Sequence, residues 1–210
     1  MNHEALIANL VEEAAPVKPM SLSRRYVTVA LAVTAYMMLL VLAMGWRSDL
    51  AAQLGTLVYV SEMLMSLCLI YGGALMAMRL SVPRAGSMPV GWVLVTIAFF
   101  IGIAVMLLGQ VSTETLKASL QSDHFLVTIS VVGVALPVVI GLFVMLRRGA
   151  PTQLGWAGAM ALMSASATGH FVLRLTGEAN NLADVLVWCY SPILFFAIIG
   201  VFIGKQALYW

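Results

Sequence analysis

Six long apolar runs follow one another along this chain, separated only by short polar links. A hydrocarbon core is crossed by about 20 residues rising 1.5 Å each in an α-helix. The runs at Tyr26–Trp46, Leu57–Met78, Val90–Gly109, Phe125–Leu146, Leu154–Leu173 and Val185–Gly204 all meet that length. Lipid offers the backbone no hydrogen-bond partner, so each run is expected to be a helix. The expected fold is therefore all-α, a six-helix transmembrane bundle over residues 26–210. Composition agrees. Hydrophobic residues make up 62% of the 210, and charged residues 10%, against roughly 25% charged in an ordinary soluble domain. The first run is too long for the apolar part of a signal peptide, and no small-residue cleavage site follows Trp46.

Orientation is read from the basic residues. With the N-terminus inside, the inner links carry Lys18, Arg24, Arg25, Arg79, Arg84, Arg147, Arg148 and Lys205. The outer links carry Arg47, Lys117 and Arg174. Both termini are thus expected in the cytoplasm. The net charge of +2 comes with no basic cluster dense enough for nucleic acid.

Polar residues within the runs are few. Glu62 lies toward the outer end of the second run, and His170 toward that of the fifth, one turn before Arg174. Ionisable groups at membrane depth are costly and mark functional sites by default. Here both lie near enough to the surface to snorkel, so an interfacial or packing role competes with an outward sensing pocket. The outer acids Asp49, Glu114, Asp123, Glu178 and Asp184, with His124, are further candidates for that pocket. No pair shows a metal-site spacing, so no metal or cofactor is expected. Cys68 lies about eleven residues into its run, roughly 16 Å deep at 1.5 Å per residue. Cys189 lies about one turn in, too far from that depth for a disulfide, and is the better candidate for a reactive thiol. Pro137 and Pro192 are expected to kink the fourth and sixth helices. The fifth run is crowded with small residues from Gly155 to Gly169 and should be the most buried. No HExxH, GxSxG, Walker A or Rossmann pattern occurs, which argues against an enzyme.

The one sizeable soluble stretch is Met1–Arg25. Within Glu4–Ala14, Leu6, Ile7, Leu10, Val11 and Ala14 fall within an arc of about 140° on a helix. Asn9, Glu12 and Glu13 lie on the other side, and Pro16 ends the helix ahead of an extended Pro16–Pro19 segment. A helix this short needs a partner for its stripe. Lipid, the bundle's own inner links and another protein are all available. Acids beside the stripe suit a basic protein groove better than an anionic membrane. A frayed tail with no specific partner is equally compatible with so short a pattern.

Several stretches, in order, resemble one family. They are Leu6-Ile7, Leu10 and Pro16-Val17-Lys18-Pro19, then Gly45-Trp46-Arg47-Ser48-Asp49-Leu50 and Arg79-Leu80-Ser81-Val82-Pro83. Leu146-Arg147-Arg148-Gly149-Ala150-Pro151, Arg174-Leu175, Trp188 with Pro192, and the final Tyr209-Trp210 follow. Together they resemble the NrsF-like (negative regulator of sigma-F) membrane anti-sigma factors. The resemblance implies a protein that holds an extracytoplasmic-function sigma factor at the inner membrane and releases it on envelope or chemical stress. It implies that the tail makes the contact, through Leu6, Ile7, Leu10, Val11, Glu12, Glu13, Pro16 and Pro19. Family members commonly carry a cysteine near the start of the fourth helix and another just after the Arg-Leu pair. This chain has neither, and where histidine often follows the sixth-helix tryptophan it has Cys189. Sensing through paired outer cysteines is therefore replaced here by Glu62, His170 and Cys189 as candidates. A small transporter or carrier is the alternative, and it requires a polar path through the centre of the bundle.

Overall fold

A computed structural model describes residues 22–82, 90–108, 125–149, 153–177 and 190–209, with isolated positions at 114, 117 and 188. Every regular element among them is helical. Helix α1 spans Leu22–Met44, α2 Leu50–Leu54, α3 Leu57–Leu80, α4 Val90–Leu108, α5 Phe125–Arg147, α6 Leu154–Thr176 and α7 Ser191–Ala207. Helix α1 starts four residues before the apolar run does, because Arg24 and Arg25 are good helix formers and continue its first turn. The short α2 between α1 and α3 carries no membrane-length pattern and was not expected.

Helices α1 and α3 and the stretch Leu126–Arg147 of α5 are long and apolar enough to cross a membrane. The 23 residues of α1 extend about 34 Å at 1.5 Å each, against a hydrocarbon core of about 30 Å. Their outward faces are apolar as well. Leu31, Leu39 and Leu42 on α1, Leu126 and Ile140 on α5, and Leu194, Phe195, Ile198 and Phe202 on α7 are all more than half exposed. A belt of this kind is unfavourable in water and at home in hydrocarbon, so the chain is built for membrane association.

Helix α6 is the centre of the packing, as its small residues suggest. It has the longest series of buried residues among the described helices, from Ala157 to Arg174. Helices α3, α5 and α7 surround it, α4 packs on α3, and α1 lies more lightly across α3 and α6. Lipid tails are as apolar as leucine, so helices here associate by close packing and hydrogen bonds rather than by leaving water. The α6–α7 contact shows how. A Cβ placed on Gly158 would sit 2.5 Å from the Cα of Gly204, and one on Gly200 would sit 2.7 Å from the Cα of Ala159. Between α3 and α6, the Ser164 hydroxyl donates to the Ile70 carbonyl at 2.6 Å. The middle of the bundle is closed by Ile70, Ala74, Ala77, Ala161, Ala165 and Leu142.

The two prolines differ from each other. Pro137 lies inside α5, where it removes a backbone donor. The carbonyl this leaves over is that of Gly133, and on the next residue the Val134 carbonyl accepts a hydrogen bond from the Tyr36 hydroxyl of α1 at 3.0 Å. Pro192 lies where a π-helical turn passes into α7, and π-type turns are among the usual sites of a kink. It stands in the first turn of α7, after a π-type turn at Trp188 and Tyr190.

Helices α1 and α6 end together. Gly45, just past α1, and Gly177, just past α6, both adopt left-handed conformations, with φ of 87° and 89°. Gly177 closes α6 with a bond from its N–H to the Leu173 carbonyl at 3.1 Å. The Arg47 N–H donates to the Leu175 carbonyl at 3.1 Å, which ties the segment after α1 to the last turn of α6.

Candidate functional site

A network of charged and aromatic side chains occupies this shared end of α1, α3 and α6. Its deepest member is Glu62, in the second turn of α3 and 0% exposed. Arg174, in the last turn of α6, donates from Nε and Nη2 to one carboxylate oxygen, Oε2, at 3.0 and 2.6 Å. The guanidinium side chain is only 5% exposed, so both charges are out of water. A buried carboxylate is tolerated when a cation and hydrogen bonds meet it.

Tyr59 lies one turn before Glu62 and joins this pair to a second one. Its hydroxyl donates to the Arg174 carbonyl at 3.2 Å. Its ring has the Arg174 guanidinium 5.1 Å away and the Arg47 guanidinium 5.8 Å away, within reach of cation–π attraction. Arg47 in turn grips Asp49 through both carboxylate oxygens, Nε to Oδ1 at 2.6 Å and Nη2 to Oδ2 at 2.8 Å. The Gln53 amide adds a bond to Oδ2 at 3.1 Å. The Arg47 side chain is 5% exposed and that of Asp49 47%. The Arg47 guanidinium hydrogen-bonds Asp49 and holds its carboxyl well below the usual carboxylate range. The network thus runs from a sealed carboxylate, Glu62, to one in contact with water, Asp49.

His170 sits one turn before Arg174 on α6, 0% exposed. Its ring lies 4.8 Å from that of Tyr190 at a 55° tilt. Among the described residues, neither imidazole nitrogen has a hydrogen-bond partner, and neither has the second oxygen of Glu62, Oε1. Unmet polar atoms in the interior are costly, so these are conspicuous in a bundle that is otherwise closely packed.

These positions decide between the placements open to Glu62 and His170 in favour of burial. Neither snorkels, since both are enclosed by protein. Arg174 is not a link residue but a buried helical one. Its pairing with Glu62 had a trace in the sequence. Glu62 near the start of one run and Arg174 near the end of another fall on the same side of any up-and-down bundle. Tyr59 left no such trace. Cys68 is a free, half-buried thiol on α3. Glu114 is exposed. Cys189, Asp123, His124, Glu178 and Asp184 lie outside the described residues, as do Leu6, Ile7, Leu10, Val11, Glu12, Glu13, Pro16 and Pro19. Among the described residues, no three His, Cys, Asp or Glu side chains converge as a metal site would require.

A family profile described as negative regulator of sigma F, NrsF, matches residues 10–210. The chain belongs to the NrsF family. No curated protein and no solved structure matches it. The family description makes this a negative regulator with a sigma factor as its partner. The matched span of this NrsF protein takes in the whole ion network and, in the tail, Leu10, Val11, Glu12, Glu13, Pro16 and Pro19.

Proposed function

We propose that this NrsF protein is an integral membrane anti-sigma factor of the inner membrane. Six helices cross the bilayer, and both termini face the cytoplasm. The N-terminal segment holds an extracytoplasmic-function sigma factor away from RNA polymerase. Envelope or chemical stress, received on the outer side, releases it. The protein acts by binding and not by catalysis. The observation that carries this reading is the family match over residues 10–210, joined to helices of membrane length.

The tail supplies affinity through Leu6, Ile7, Leu10 and Val11, steering through Glu12 and Glu13, and a stiff spacer from Pro16 to Pro19. The bundle anchors it. Glu62, His170 and Cys189 are the candidates for receiving the signal. A carrier is less well supported, because the buried charged groups among the described residues, Arg47, Glu62 and Arg174, gather at one end and the middle is filled mostly by apolar side chains.

Leu10→Asp tests the tail. A carboxylate in an apolar groove has to shed its water, so sigma-factor binding should fall by about a hundredfold or more. The bundle should stay in the membrane at parental level. Co-purification of the sigma factor with Leu10→Asp at full strength would exclude the tail as the contact.

A further inference from the structure

The ion network opens onto a polar cleft at the shared end of α1 and α6. Its volume is about 570 Å³, and it is lined by Trp46, Arg47, Ser48, Asp49, Gln53 and Thr176 together with Gly177. That is the size range of small-molecule sites. Most of the bundle's surface is apolar, so a polar cleft of this size stands apart from it. Its floor is built. Arg47 is anchored by its backbone to Leu175 and by its guanidinium to Asp49, over the ring of Tyr59.

The charged group most open to the cleft is a carboxylate. The Arg47–Asp49 pair is turned so that the guanidinium side chain is 5% exposed and the carboxylate 47%. The next cation inward, Arg174, is neutralised by Glu62. A solute arriving from water therefore meets the Asp49 carboxylate before it meets a guanidinium. Trp46, 55% exposed, borders the same cleft and has the aromatic face that attracts cations best. The Gln53 amide and Thr176 hydroxyl add polar lining. A single carboxylate is too few ligands for a bound metal ion. A carboxylate with an indole and neutral polar groups suits an organic cation.

We propose that this cleft binds a small organic cation, an amine or guanidinium compound, held by Asp49 and Trp46. The cation draws on the carboxylate that Arg47 also uses, and Arg47 fastens the end of α1 to α6. Residue 22, where α1 begins and the tail joins it, lies about 34 Å away at the opposite end of this helix. Under the proposed function, from which only this consequence follows, the cleft is an input site on the face opposite the sigma factor.

The test uses the full chain in phosphatidylcholine nanodiscs, whose neutral headgroups do not hold cations, with agmatine as the probe. Binding is followed by calorimetry and no sigma factor is present, so the result is independent of the tail. The parent should bind saturably. Asp49→Asn and Trp46→Leu should each weaken binding by about tenfold, the effect of losing one charge-assisted or cation–π contact. Trp46 is largely exposed, so its exchange tests the site even if Asp49→Asn unfolds. Absence of saturable agmatine binding in the parent overturns the proposal. Equal affinity in the parent and Trp46→Leu does so too, as does binding of inorganic phosphate in place of agmatine.

Discussion

Arg174→Met leaves the Glu62 carboxylate in the interior without the cation that both Nε and Nη2 now bring to it. The two groups are 4% and 0% exposed, so water does not replace the lost bonds at 3.0 and 2.6 Å. Breaking one side of a buried pair costs about 3–5 kcal/mol. Glu62→Leu removes the carboxylate that the guanidinium over Tyr59 now meets at 2.6 Å and belongs in the same range. The double variant Glu62→Leu/Arg174→Met removes both charges and puts apolar groups in their place. Apolar replacements of buried pairs are commonly neutral or stabilising, so the double variant should unfold close to the parent. The two substitutions are then strongly non-additive: the double variant loses about 6–10 kcal/mol less than the sum of the singles, about ten-thousandfold or more in the unfolding constant. Unfolding of the purified chain in mixed micelles, followed by circular dichroism, measures all three. Single variants that each lose less than about 1 kcal/mol, as exposed pairs do, would show that water reaches the pair. A double variant as unstable as the sum of the singles would show that Glu62 and Arg174 act separately. Either result refutes the sealed network.

The α6–α7 contact predicts a sharp dependence on one methyl group. Gly158→Ala places a carbon 2.5 Å from the Cα of Gly204 and should destabilise by about 1–3 kcal/mol in the same assay, whereas Gly133→Ala, with nothing within 4 Å, should cost nothing. The Arg47–Asp49 pair predicts the sign of an acid effect. Arg47 depresses the Asp49 pKa, so the pair's contribution is complete above the ordinary value of 3.8 and fades as pH falls below it. The stability difference between the parent and Asp49→Asn should therefore be constant from pH 7 to pH 5, by about one unit above that value, and shrink in stronger acid. Parallel unfolding curves across this range check it.

Much of the fold was legible in the runs of apolar residues. Each of the six contains a helix among the described residues, because a chain of this composition has no other way to pair its backbone in lipid. The central place of α6 followed from its small residues, which allow close approach. The ordered short stretches pointed to the NrsF family, and the profile match bears that out.

The site was legible only in part, for a reason particular to membrane chains. In a soluble helix an apolar stripe marks the inward face. Here the lipid face and the core face are both apolar, so the sequence carries depth but little about direction around the helix axis. Depth alone put Glu62, His170 and Arg174 near one end, within reach of the surface, and did not say which way they face. The tertiary structure turned Glu62 and Arg174 toward each other across a sequence separation of 112 residues and set Tyr59 between two guanidinium groups. What the sequence determined by itself is a helical chain suited to a membrane and its family. Which charges are buried, which are paired, and that Asp49 is the charged group of the network that reaches water, the tertiary structure decided, because only the packing of α1, α3 and α6 sets which way each side chain faces.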